Sequence, residues 1–328
     1  MQASNSEASA PDACGGIDLG GTKIEAVVTD SEHRVLGSSR HPTPTSGGPA
    51  DVASAMAAAL TDAARAAKLE PAQLRGVGVG SPGRVDSAAG TVSRADNLPG
   101  WYASFPLAAA LQSALGTPVS LGNDVSVATD AEFKLGTGRP YDSLLGVFWG
   151  TGVGGGLILG GEPWHGRGGA GEIGHMVIVQ DGRHCPCGRR GCVEAYAGRG
   201  ALEAHARSLH DKGEKTKLFE LAAEHGRDRL TSSIWARALE HGDKLATKLV
   251  DRAVLALGAG IASAVNLIDV EAVIIGGGLG VRFGEPYRKR IAEAMAPHLF
   301  NDADPPAVHL AGLGDLGGAI GASLLVAS

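Results

Sequence analysis

Residues 172–194 crowd three thiols, the His175 imidazole and the carboxylates of Glu172 and Glu194 into one short irregular segment. It reads Glu172-Ile173-Gly174-His175, then Cys185-Pro186-Cys187-Gly188, then Gly191-Cys192-Val193-Glu194. Three thiolates and an imidazole are the soft-sulfur, borderline-nitrogen set that a tetrahedral Zn2+ takes, with no position left for a reactive water. A site closed in that way is structural. The Cys-x-Cys-x4-Cys spacing is tighter than paired Cys-x2-Cys knuckles, so reduced or disulfide-bonded cysteines stay open as the alternative. Glu172 stands three residues before His175, and Glu194 two after Cys192. A metal that fixes those ligands fixes both carboxylates too, as a preorganised polar binding site requires. Without it, both read as solvated loop residues.

A chain of 328 residues can bury a large core and is expected to hold two domains. A formal charge of -6 and a pI near 6.0 exclude a basic nucleic-acid footprint, and Arg288-Lys289-Arg290 reads as one solvated helix face. Residues 1–13 have no cationic start and no apolar run, so they read as a disordered tail rather than a signal peptide. No apolar run of membrane-spanning length free of charge or dense glycine is evident, so no membrane partner is expected. Cys14 and the three clustered cysteines fit a reducing cytoplasm and a metal better than a disulfide framework. Glycine is the informative residue: 50 of 328, about twice the usual ~7%, in separate clusters beside β-branched runs. Glycines at strand ends let backbone approach a ligand closely.

In chain order, Asp18 ends a strand, Gly20-Gly21-Thr22-Lys23 makes a tight turn and residues 24–29 return, with a third strand at 35–38. The turn's amides and the Thr22 hydroxyl suit phosphate oxygens and Asp18 suits Mg2+, although an ordinary hairpin turn reads the same way. No Walker loop is present. Residues 51–69 have helical period. Residues 76–83 contain a formal G-x-G-x-x-G at Gly78, Gly80 and Gly83, but Pro82 and Arg84-Val85-Asp86 do not open a helix, so a dinucleotide fingerprint is rejected. The expectation here is a glycine-rich loop, after a buried strand, that faces a small polar ligand. Asn97-Leu98-Pro99-Gly100-Trp101 forms another loop, and residues 106–115 a short helix.

A strand at 119–121 delivers Asn123-Asp124 to a helix start, where a carboxylate is either an N-cap or a catalytic group. Residues 143–149 read as a strand, 150–156 as a glycine turn containing Thr151, and 157–159 as its return. Two glycine-threonine hairpins in two halves of the chain suggest an internal repeat. The charged stretch 200–242 has helical tendency without a clear placement. Residues 244–268 form a core helix whose Gly258 and Gly260 imply close packing, and a buried strand at 270–275 leads into Gly276-Gly277-Gly278. That run suits either a ledge under a planar base or a plain strand-end turn.

Taken together, these motifs resemble the ROK family (repressor, open reading frame, kinase) of sugar kinases. The likeness covers about residues 15–325. Its most specific parts are Asp18-Leu-Gly-Gly-Thr-Lys23 and the combined Gly171-Glu172-Ile-Gly174-His175 with Cys185-x-Cys187-Gly-x2-Gly191-Cys192-x-Glu194. The resemblance implies a two-lobed α/β chain of the actin-like, hexokinase-like (ribonuclease H-like) ATPase fold. Its small lobe would span 14–128, completed by a C-terminal helix at about 312–328. Its large lobe would span 129–311 and carry the zinc segment.

By position, the resemblance implies Asp124 as the general base that takes the proton of a sugar hydroxyl as it attacks the γ-phosphoryl group of ATP. It implies Asn123, Glu172, His175 and Glu194 as partners of sugar hydroxyls, with Gly83 and Asn97 lining the same pocket. Asp18, Gly20, Gly21, Thr22 and Lys23 match the first phosphate loop, Gly150, Thr151 and Gly152 the second, and Gly276, Gly277 and Gly278 the adenosine loop. His175, Cys185, Cys187 and Cys192 match the zinc ligands, and Mg2+ is implied as a cofactor. The expected activity is transfer to a hexose 6-hydroxyl, glucose first, because Asn97-Leu98-Pro99-Gly100-Trp101 and Pro82-Gly83-x-Val85-Asp86 look more like glucokinases than fructokinases. N-acetylmannosamine or N-acetylglucosamine is the alternative acceptor, and a non-catalytic sugar sensor the third reading. A homo-oligomer, dimer or tetramer, is also implied. Val125 and Ser126 depart from the family pattern, as do the glycines of Gly314-Asp315-Leu316-Gly317-Gly318-Ala319 where alanine is common. With about 14 residues ahead of the first strand, a DNA-binding repressor is not expected.

Overall fold

A computed structural model describes residues 12–95 and 98–326. Residues 1–11 of the expected tail, and Asn97, lie outside the described residues. The chain divides into two compact units, Met1–Ala131 with Leu313–Ser328, and Glu132–Gly312.

In the first unit, β1 (Cys14–Leu19), β2 (Lys23–Thr29) and β3 (Val35–Pro42) form an antiparallel meander. β4 (Val77–Ser81) and β7 (Val119–Asn123) extend it in parallel, giving the order β3-β2-β1-β4-β7. A two-stranded ribbon, β5 (Arg84–Asp86) and β6 (Thr91–Ser93), follows β4. Helix α1 (Pro49–Ala66) buries Val52, Met56, Leu60 and Ala63, one apolar stripe at helical spacing, in the same core as Ile24, Ala26 and Val28 of β2. Helix α2 (Leu107–Leu115) buries Leu107, Leu111 and Leu115 and stops at Gly116, whose φ is +70°.

Residues 77–81 are a fully buried strand, not the expected loop. The reason is packing. Gly16 and Gly78 are register partners across β1 and β4, and a Cβ on either would run into the carbonyls of Ala319 or Ala322 in α10 (Gly317–Leu324). The alternating glycines clear a flat strip on which that helix lies in backbone contact.

The second unit repeats the arrangement. β8 (Leu144–Trp149), β9 (Val153–Leu159) and β10 (Glu162–Pro163) are antiparallel, β11 (Ala272–Gly276) and β12 (Ala307–Leu310) add in parallel, and the order is β10-β9-β8-β11-β12. The two glycine-threonine hairpins therefore sit at equivalent places in two sheets of like topology, as an internal repeat predicts. The second turn is only Gly150-Thr151-Gly152, because the glycines expected to lie in it belong to β9. A Cβ at Gly155 would meet Gly171 O at 2.5 Å and Ile173 Cγ2 at 2.8 Å, so a side chain there would expel the turn lying on the strand.

Stretch 200–242 resolves into α5 (Arg199–His210), α6 (Leu218–Glu224) and α7 (Ser232–Glu240), which follow the single turn α4 (Glu194–Ala197). Helix α8 (Lys244–Ile268) is long and apolar enough to cross a membrane by length and composition, although Asp251, Arg252, Gly258 and Gly260 interrupt its apolar run. It nevertheless buries Leu249, Val250, Leu257 and Ile261 in the core of this unit. Gly258 and Gly260 allow it to press on Ala294 and Val193, as close packing predicts. Helix α9 (Gly277–Met295) breaks at Gly284, where φ is +63°, two residues ahead of Pro286.

Candidate functional site

In the first unit the candidate residues collect at the C-terminal ends of three adjacent strands. Asp18 is the penultimate residue of β1, Gly80 lies opposite it on β4, and Gly80 is paired in turn with Gly122 on β7. The ideal Cβ position at Gly80 is 3.3 Å from the Asp124 Cα. Asp18 and Asp124 therefore flank Gly80, a position near the strand end that carries no side chain. Asp124 opens α3 (Asp124–Lys134), but the cap belongs to its neighbour: Asn123 Oδ1 accepts the backbone N–H groups of Val125 and Ser126, each at 3.1 Å. This corrects the N-cap reading of the corner carboxylate. Asp124 Oδ1 takes only a share of the Val125 N–H, at 3.0 Å.

Burial first, and then the like charges of Asp124 and Glu25, push the Asp18 carboxyl up to about 7 against the pull of Lys23. Paired carboxylates that resist joint ionisation are a hard-oxygen donor set, and they fit Mg2+. The first turn is pinned from behind, since Thr43 Oγ1 donates to Gly20 O at 2.6 Å and Thr43 N–H donates to Thr22 O at 3.3 Å. Thr22 remains exposed. The Lys23 ammonium is held by Glu25 at 2.6 Å. Gly83, at φ +85°, has Ser93 O 2.8 Å from its ideal Cβ position and admits no other residue without strain.

In the second unit the four expected ligands converge, each offering an atom within 4.8 Å of the others. Cys187 Sγ and Cys192 Sγ are 3.8 Å apart, and His175 Nδ1 is 3.8 Å from Cys185 Sγ. Tetrahedral bonds of about 2.3 Å to sulfur put thiolates about 3.8 Å from one another, so the residues present fit Zn2+. Burial pushes the Cys185 and Cys192 thiols up, and a cation would be needed to hold them as thiolates. The cysteines are kept close by tight turns: Cys185 N–H donates to Arg189 O at 2.8 Å, and Gly188 and Gly191 take φ of +88° and +82°. With Nδ1 turned toward the sulfurs, His175 has its Nε2 3.9 Å from Glu172 Oε2.

Glu194 joins this cluster to the second hairpin. Its Oε2 accepts the Val153 N–H at 2.9 Å, and Gly174 of the His175 turn packs so close to the Val153 carbonyl that no Cβ fits. The far side of the hairpin is held by α5. Arg199 N–H donates to Gly150 O at 3.0 Å, Gly200 N–H donates to Thr151 O at 3.0 Å, and Arg199 Nη2 donates to Thr151 Oγ1 at 2.8 Å. The three glycines expected to form an adenosine loop lie alongside. Gly277, at φ +79°, has Trp149 backbone atoms 2.6 Å from its ideal Cβ position, and that of Gly150 is 3.8 Å from Gly278 N. Gly276, Gly277 and Gly278 are thus a strand end running into a helix rather than a flat run. Ser232 Oγ, at the start of α7, is 3.3 Å from the ideal Cβ position of Gly278.

Sequence reasoning missed Arg199 and Ser232. Arg199 had a usable signal, a lone cation in the small and apolar run 195–202; Ser232 had none.

The family model described as the ROK family matches residues 14–328. The chain belongs to the ROK family. Within it, similarity extends to a Thermotoga maritima glucokinase, 31% identical over 287 residues, 86% of this chain and 88% of that one. An N-acetyl-D-glucosamine kinase of Citrobacter koseri is 32% identical over 327 residues, 94% and 98% of the two chains. The crystal structure of a ROK glucokinase from Streptomyces griseus, in complex with glucose and AMPPNP, superposes with a TM-score of 0.81 at 32% identity, covering 95% of this chain and 98% of that one. The ROK architecture seen here is the α/β actin-like, hexokinase-like ATPase fold.

Proposed function

We propose that this ROK protein phosphorylates a hexose at its 6-hydroxyl with ATP, glucose being the preferred acceptor. The observation that carries the reading is the corner at Asn123 and Asp124. The amide side chain takes most of the capping work, and the carboxylate lies beside the bare Gly80 position and near Asp18. Similarity to glucokinases, one of them solved with glucose and AMPPNP, supports the choice of sugar and donor.

In the proposed reaction Asp124 accepts the proton of the sugar 6-hydroxyl. That oxygen bonds to the γ-phosphorus, the bond from the γ-phosphorus to the β,γ-bridging oxygen breaks, and ADP leaves. The transition state is loose, so a carboxylate of ordinary basicity suffices and placement decides the rate. Asn123, Glu172, His175 and Glu194 hold the other sugar hydroxyls; the carboxylates do so through charge-assisted hydrogen bonds. The two glycine hairpins take phosphate oxygens on backbone N–H groups. Mg2+ held by Asp18, directly or through water, would supply charge neutralisation to the phosphates. Zn2+ on His175, Cys185, Cys187 and Cys192 would be structural.

A second reading, an N-acetyl amino-sugar kinase, is favoured by the near full-length similarity to the Citrobacter koseri enzyme. The test is ADP release over glucose, mannose, fructose, N-acetylglucosamine and N-acetylmannosamine, with Asp124→Asn alongside. A glucose maximum that falls roughly 100-fold or more in kcat in the variant, with sugar affinity kept, is the expected result. An N-acetylated maximum selects the second reading. Sugar binding without turnover in the unaltered protein would overturn both in favour of a sensor.

A further inference from the structure

A cleft of about 1100 Å3 lies wholly within the second unit, between α5, α8 and the segment that follows the His175 turn. None of the roles assigned above uses it. Its wall carries Arg183, His205, Lys244, Lys248 and Arg252, against the single carboxylate of Asp251. Arg290 holds that carboxylate at 2.6 Å. Arg183, Lys244, Lys248 and Arg252 have no ion-pair partner among the described residues.

The guanidinium carbons of Arg183 and Arg252 both lie over the Tyr196 ring, 4.9 and 5.4 Å from its centroid. Cation–π contacts explain what holds them there, but they leave two positive charges on one ring without a counter-ion. Burial, followed by the charges of Arg183, Arg252, Lys212 and Lys248, lowers the pKa of His205. The imidazole is thus kept neutral at pH 7, able to donate a hydrogen bond. Leu209, Leu249 and Leu255 add apolar lining. This combination suits an anion attached to a compact organic group better than a cation or a neutral sugar.

We propose that this cleft binds a small phosphate-bearing anion, either free phosphate or a sugar phosphate, at a second site separate from the kinase residues. Tyr196 gives such a ligand a route to them. Its hydroxyl accepts the Arg183 backbone N–H at 3.0 Å, and the residue lies two positions beyond Glu194 in α4. That coupling, unlike the binding itself, rests on the sugar-kinase reading.

The test is calorimetric titration of inorganic phosphate and, separately, of hexose 6-phosphate into the full chain saturated with glucose, AMPPNP and Mg2+, so that the kinase residues are occupied. Saturable binding of either ligand, weakened roughly tenfold or more in the Lys248→Ala/Arg252→Ala variant, is expected. Whichever ligand binds more tightly identifies the source. Leu255→Asp, which keeps every cation and adds a negative charge at a position 63% exposed, should weaken it comparably. Equal affinity in all three proteins, or no saturable binding of either ligand, overturns the proposal. So does sedimentation showing that the variants change the association state while phosphate has no effect, because the face would then be a contact between copies of this chain.

Discussion

Glu194 Oε2 accepts the backbone N–H of Val153 at 2.9 Å, so the residue two positions beyond Cys192 holds the mouth of the second glycine hairpin. One carboxylate thus ties the cysteine cluster, the hairpin and a proposed sugar contact together. Glu194→Gln keeps the shape but replaces the charge, and a supporting group of this kind typically matters 10–100-fold, so a rise of roughly tenfold in the sugar KM is expected. The KM for ATP should rise as well, because Val153 leads out of Gly150-Thr151-Gly152. Steady-state kinetics with each substrate varied separately check this; a change confined to ATP would remove Glu194 from the sugar site.

Metal removal should act through the same connection. One Zn2+ per chain is expected by elemental analysis. Chelation or Cys187→Ser should lower the melting temperature, because metal bound to the native state alone stabilises it. Active, folded protein containing no metal would refute the zinc assignment.

Asp18 gives a pH dependence whose sign can be worked out. Its folded pKa of about 7 lies above its unfolded value near 3.8, so between those pH values the native state binds more protons than the unfolded state. Stability from this group is fully present below about pH 4 and is lost as pH rises through about 7. At pH 8 the metal-free protein carries an ionised Asp18 beside Asp124, and Asp18→Asn should stabilise it by roughly 1–3 kcal/mol while depressing turnover. Denaturant titrations of both proteins at pH 5 and 8 test this. An equal difference at the two pH values would show that Asp18 titrates normally.

The paired glycines under α10 yield a stability prediction without any chemistry. A methyl at Gly78 would meet the Ala322 carbonyl, which cannot yield without shifting the helix, so Gly78→Ala is expected to cost about 3 kcal/mol. Gly160→Ala, at φ +61° with nothing within 4 Å, should cost only about 1 kcal/mol of backbone strain. Equilibrium unfolding of the two variants discriminates packing from turn conformation; equal losses would remove α10 as the reason for the alternation.

What the chain made legible was chemistry at fixed spacing. The ligand set at 175–192, the Asp18 turn and the Asn123-Asp124 corner follow from local sequence, because each is built from neighbours along the chain. What it concealed depends on partners distant in sequence. Gly78 and Gly155 read as loop glycines because the helix at 317–324 and the turn at 171–174 that demand them lie elsewhere in the chain. The cap expected of the Asp124 carboxylate is supplied largely by its neighbour, since Asn123 Oδ1 accepts both the Val125 and Ser126 amides while Asp124 Oδ1 shares only the first.

Arg199, marked in the sequence only as a lone cation in a small and apolar run, takes its role from its contacts and supports a last prediction. It is 7% exposed, donates to Thr151 Oγ1 at 2.8 Å and to Leu230 O at 3.0 Å, and meets the Gly150 carbonyl with its own N–H. Burial, together with nearby Arg229, lowers its pKa, yet a guanidinium keeps its charge at any pH the protein would meet. A cation fixed behind Thr151 presents the hairpin with a positive background as well as a rigid frame. A lysine ammonium cannot span both acceptors in the same planar geometry, so Arg199→Lys should behave as a partial loss rather than a conservative change. Each buried hydrogen bond left unmade costs about 1–3 kcal/mol, so Arg199→Ala should lower stability by about that amount or twice it. In the folded fraction the KM for ATP should rise roughly tenfold, with sugar affinity measured in the absence of nucleotide nearly unchanged. That split separates positioning of the hairpin from general loosening, which would weaken both substrates alike.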